Sequence, residues 1–147
     1  MNNNGVSLLE LTVVMAVMML VLGIALFGAR AGDRAHQNLN EASRVLQADI
    51  RYAQRLAIIE GERIRLIFAE RERRYTLVRP STQEVIRSVD LPQGVSVVGF
   101  VNVLEYLPRG TVNVGMTITL RNERFSQSIT ITPVTGRAHI YDPVPVE

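Results

Sequence analysis

The sequence predicts an α+β fold: one long N-terminal helix, membrane-spanning in its first half and amphipathic in its second, laid on antiparallel β-sheet. Three observations predict it. No proline occurs before Pro80, so nothing breaks a helix early in the chain. No charge falls between Glu10 and Arg30. After Gly61 the apolar spacing changes from three and four residues to two.

Residues 6–29 form the first half of the helix. About 20 apolar residues cross the hydrocarbon of a bilayer, and the run from Leu11 to Ala29 meets that length. A carboxylate, Glu10, stands at its mouth. Such a group is expensive in lipid, roughly 2.5–3.5 kcal/mol at the bilayer centre, so it is normally functional and partnered.

Residues 30–61 continue the helix. Leu39, Ala42, Leu46, Ile50, Ala53 and Ala57 recur on one stripe, and Asp33, Arg34, Asn40, Glu41, Arg44, Arg51 and Arg55 fill much of the rest. Gly61 fits a C′ cap. A single rod from Val6 to Glu60 would measure about 80 Å at 1.5 Å per residue.

Residues 62–147 read as β-rich. Strands are expected over 63–68, 75–79, 85–89, 95–100 and 103–107, separated by a charged turn at 70–74 and by turns at Pro80 and Pro92. The clearest alternation sets Met116, Ile118 and Leu120 against Thr117, Thr119 and Arg121, and Ile129 and Ile131 against Thr130 and Thr132, with a hairpin turn at 122–125. A last short strand covers 138–141, and Pro143 and Pro145 leave an irregular tail. The helix stripe and the apolar strand faces cover one another.

Composition narrows function. Removing the first thirty residues leaves about 117, enough for one core. There is no Cys, and the two His, His36 and His139, are far apart, so no zinc ligand set can be assembled. No nucleophile elbow and no phosphate-binding loop is present. No catalytic residue, metal or cofactor is expected; His36 and His139 read as surface residues, and the carboxylates as solvated groups beside arginines. All sixteen cations are Arg, yet net charge is only +2.

The string Gly5-Val6-Ser7-Leu8-Leu9-Glu10-Leu11 resembles the type III signal of the type IV pilin and type II secretion pseudopilin superfamily. Residues 49–57, 65–68, 91–95 and 136–138 together resemble its GspH/FimT group of minor pilins and pseudopilins. The resemblance implies a leader at 1–5, cleavage between Gly5 and Val6 by a prepilin peptidase, N-methylation of Val6, and a role for Glu10 in assembly. It also implies an inner-membrane subunit with its N-terminus inside and its soluble domain periplasmic or extracellular. The expected partners are other pilins, the peptidase and N-methyltransferase, and an inner-membrane assembly platform. The expected function is to prime or cap a type II secretion pseudopilus or type IV pilus-like filament.

Other readings stay open. Ala29-Arg30-Ala31 looks like the end of a cleavable secretory signal, although such apolar regions are shorter. The span could be a plain anchor for an unrelated β-domain. Some members of the resembled group bind DNA beside a Gly-Arg pair, implying a DNA-uptake role here for Arg137 and His139, with Arg109, Arg121 and Arg124 joining them at one end of the sheet. The low net charge argues against a basic footprint.

Overall fold

The structure, a computed structural model, describes residues 8–69, 73–99 and 102–146, with the side chains of 25–33 outside the description. Two compact units divide the chain, residues 1–34 and 35–147. Helix α1, Leu8–Glu60, is 53 residues long and contributes to both.

In the first unit the described side chains from Leu8 to Ile24 are all exposed, Leu9 at 71%, Met19 at 70% and Ile24 at 68%. Apart from Glu10 and Thr12, every residue of this stretch is apolar or glycine. The Thr12 hydroxyl donates to the Leu9 carbonyl at 2.8 Å, so it needs no water. Among the described residues no helix is long and apolar enough to cross a membrane; the apolar run of the sequence continues into the side chains outside the description. Gly5 and Val6 also lie outside the described residues.

The second unit places the helix stripe against two antiparallel sheets. Leu39, Ala42, Leu46, Ile50, Ala53 and Ala57 are all buried, as the three- and four-residue spacing requires. Gly61 ends the helix at φ +67°, the left-handed conformation that favours glycine.

The first sheet has the order β3-β2-β1-β5, from β1 (Ile64–Ala69), β2 (Arg74–Arg79), β3 (Glu84–Asp90) and β5 (Val103–Tyr106). It buries Ile64, Leu66, Phe68, Tyr75, Leu77, Leu104 and Tyr106. β3 has no buried residue, as befits an edge strand. The second sheet has the order β4-β6-β7-β8, from β4 (Ser96–Val98), β6 (Met116–Arg121), β7 (Phe125–Ile131) and β8 (Ala138–Ile140). Ile118 pairs with Ile129 facing the core, while Thr117 meets Thr130 and Thr119 meets Ser128 through hydroxyl hydrogen bonds of 2.9 and 3.0 Å on the other face.

Two expectations are corrected. The C-terminal tail is not irregular throughout: β9, Val144–Pro145, pairs with the first residues of β7, where Pro145 is tolerated because it lies on an edge. The carboxylates are not all solvated. Asp49 is 3% exposed, and two side chains from the first sheet converge on it.

Candidate functional site

The β7–β8 turn is a tight structure. The Gly136 N–H donates to the Thr132 carbonyl at 2.8 Å, and the Thr132 N–H to the Arg137 carbonyl at 3.1 Å. Gly136 adopts φ +62°, and a Cβ there would stand 2.1 Å from the Gly110 carbonyl oxygen. Only glycine suits both the conformation and the close approach. Gln54 of α1 donates both amide hydrogens outward, to the carbonyls of Gly110 and Thr135, each at 2.7 Å. The buried Tyr106 hydroxyl donates to the Gly136 carbonyl at 2.8 Å. The helix, the 107–110 loop and the 132–137 turn are therefore joined through one set of hydrogen bonds.

That joint fixes what flanks it. Gln47 donates to the Ala138 carbonyl at 3.2 Å, holding the β8 edge beside the helix. Ala138 points into the core, whereas Arg137 and His139 are exposed. Arg51, Gln54, Arg55, Arg137, Ala138 and His139 line a groove of about 450 Å³. Among the described residues no carboxylate lines it. Arg51 and Arg55 are one helical turn apart and share a face.

Of the residues singled out from sequence, Arg137 and His139 meet in this groove. Arg109, next to Gly110, occupies the adjoining loop without lining it. Arg121 and Arg124 do not gather there: they sit at the β6–β7 turn, at the far end of β7 from the β7–β8 turn. Six residue steps along β7 separate the two ends by about 20 Å. An antiparallel hairpin puts its successive turns at opposite ends of a strand, so the expected cluster divides. Glu10 is exposed in the first turn of α1.

Arg51 and Arg55 were not legible as site residues, since each reads as part of a solvated helix face. One signal was available. Neither has a carboxylate three or four residues away on either side, where a helix normally places an ion-pair partner.

A different cluster lies around Asp49. The Tyr75 hydroxyl donates to Asp49 Oδ2 at 2.6 Å, and Arg87 Nη1 stands 3.2 Å from Oδ1. Burial, and then the hydrogen bond to Asp49, push the Tyr75 phenol well above its ordinary range. Burial does the same to Tyr106. Both phenols are held protonated: Tyr75 ties the helix to the first sheet, and Tyr106 ties the first sheet to the β7–β8 turn. Among the described residues no group of three His, Cys, Asp or Glu is placed to hold a metal ion.

Residues 42–135 match the family described as "Type II transport protein GspH". The chain belongs to the GspH family. The match includes Arg51, Gln54 and Arg55 and stops one residue before the Gly136-Arg137 pair. The GspH-type fold is shared with the type IV minor pilin FimU of Pseudomonas aeruginosa, at a TM-score of 0.63 and 15% identity over 73% of this chain and 90% of that one. It is shared also with the minor pseudopilin EpsH from the type 2 secretion system of Vibrio cholerae, at a TM-score of 0.60 and 13% identity over 71% and 97% of the two chains. A second EpsH structure superposes at 0.61 with 11% identity, over 77% and 99%. No curated protein matches the chain.

Proposed function

We propose that this GspH-family chain is a minor pseudopilin or pilin, a structural subunit that primes or caps a type II secretion pseudopilus or type IV pilus-like filament. The observation that carries this reading is the pairing of a folded GspH unit with a helix whose described side chains from Leu11 to Ile24 are apolar apart from Thr12 and follow a single carboxylate. Such a helix needs lipid before assembly and neighbouring helices afterwards. In this reading the prepilin peptidase cuts between Gly5 and Val6, Val6 is N-methylated, and the run from Leu11 to Ala29 anchors the subunit in the inner membrane, N-terminus inside, beside its assembly platform.

Glu10 then has a natural counter-charge, the α-amine at Val6 of a neighbouring subunit. An unpaired carboxylate in lipid is costly, and pairing recovers much of that energy only at the correct stagger. Glu10→Leu should insert into membranes normally and fail to co-assemble with partner pilins. Co-assembly of the Leu variant at the wild-type level overturns the role.

The groove favours a second reading, a DNA-binding minor pilin that serves DNA uptake. Its support is a cationic surface with no carboxylate in its walls among the described residues. The test is binding of labelled DNA by the wild-type chain and by Arg137→Ala at low and high salt. Salt-sensitive binding weakened by the substitution supports this reading, and no binding at low salt removes it.

A further inference from the structure

Resting on that second reading, we infer that the DNA-facing surface is a two-walled clamp, with Arg51 and Arg55 of α1 as one wall and Arg137 with His139 as the other. It grips a nucleic-acid phosphate backbone without reading its bases.

The first support is electrostatic. Arg51, Arg55 and Arg137 have no ion-pair partner among the described residues, and no carboxylate lines the groove they share. By contrast Arg63, Arg65, Arg74, Arg79 and Arg87 each face a carboxylate. The net charge of +2 therefore averages a neutralised surface with a local cationic one. Free guanidinium forks on both sides of a groove suit an extended anion that accepts hydrogen bonds from two directions.

The second support is what the groove lacks. Among the described residues its lining holds one apolar side chain, Ala138, whereas a protein partner would require a buried apolar centre. Among the described residues no Phe, Tyr or Trp lines it and His139 is its single aromatic ring, so it offers no run of platforms for successive stacked bases. Gln54 spends both of its amide hydrogens on the Gly110 and Thr135 carbonyls and has none left to read a base edge. What remains are phosphate-directed charges on a rigid frame. The Gln54, Tyr106 and Gly136 hydrogen bonds hold the turn that carries Arg137 against the helix that carries Arg51 and Arg55.

The experiment is anisotropy of a labelled random-sequence duplex with the full chain in neutral detergent, titrated at several salt concentrations. The proteins compared are wild type, Arg51→Ala/Arg55→Ala, Arg51→Lys/Arg55→Lys, Arg137→Ala and, as a distant control, Arg121→Ala/Arg124→Ala. We expect the Arg51→Ala/Arg55→Ala pair to weaken binding at least about tenfold and to flatten the log-affinity against log-salt slope by about 1.8, the loss of two phosphate contacts. The Lys pair should keep the slope, and the control should bind as wild type.

If Arg137→Ala weakens binding and the Arg51→Ala/Arg55→Ala pair does not, the helix wall is wrong while the DNA reading stands. If the wild-type chain does not bind, both fall. An equal loss in the control shows diffuse attraction rather than a clamp. Competition by poly-glutamate as effective as by unlabelled DNA of the same charge assigns the groove to an acidic protein segment instead.

Discussion

The first sheet and the α1–β8 groove use arginine in opposite ways. On the sheet, cations are answered across the ladder: Arg65 and Glu105 are register partners on β1 and β5, and Arg74 and Asp90 on β2 and β3. Arg79 faces Glu60, Glu62 and Glu84. Exposed pairs of this kind contribute about 0–1 kcal/mol each, so their main effect is to neutralise the surface and fix register. At the groove the same residue type converges with no counter-charge among the described residues, and the framework beneath it supplies the rigidity. Arginine content alone therefore says little; the distribution of carboxylates decides which arginines are free to bind.

The strongest way to break the groove side of this comparison is through its framework. Gly136→Ala sets a Cβ against the Gly110 carbonyl in a left-handed conformation, and should destabilise the fold by about 3 kcal/mol or more, read as a lowered Tm. On the sheet side the sensitive point is the buried Asp49. Asp49→Ala leaves the buried Tyr75 hydroxyl without its acceptor and should cost about 2 kcal/mol in denaturant unfolding, and Arg87→Ala, which leaves the buried Asp49 carboxylate without its counter-charge, should cost at least about 2 kcal/mol.

Tyr106→Phe sharpens the picture of the joint. Loss of its hydrogen bond to Gly136 should cost about 1 kcal/mol at neutral pH. The folded phenol is raised above its ordinary value near 10, so only the unfolded chain releases that proton as pH rises through 10. The stability it confers is complete below about pH 10 and falls above it by up to about 1.4 kcal/mol per pH unit. The Phe variant should show a shallower alkaline loss than wild type, with the remaining slope due in part to Tyr75, raised in the same direction. The smallest effects are expected at exposed arginines. Arg74→Ala and Arg51→Ala should each change stability by no more than about 0.5 kcal/mol, while only the second alters DNA binding.

Much of the fold was legible because its signals are local. The α1 stripe follows from three- and four-residue spacing, and the β6–β7 pair from alternation of Ile with Thr. The strand edges and β9 were not, since pairing of Val144 with Ser126 depends on a partner eighteen residues away in sequence and not on any pattern in the tail. The site was legible in halves. The Gly136-Arg137 pair stood out as a motif, but Arg51 and Arg55 belong to a helix face whose neighbour is chosen by tertiary packing. Asp49 escaped for the same reason: one step round the helix separates a solvated carboxylate from one buried beneath Tyr75 and Arg87.

Maturation into a filament subunit is read from the intact mass of the protein recovered from host membranes. We expect a chain that begins at Val6 and carries one added methyl group, and an unprocessed full-length chain from Gly5→Ala. A wild-type chain that retains residues 1–5, or one cut near Ala31, would contradict it.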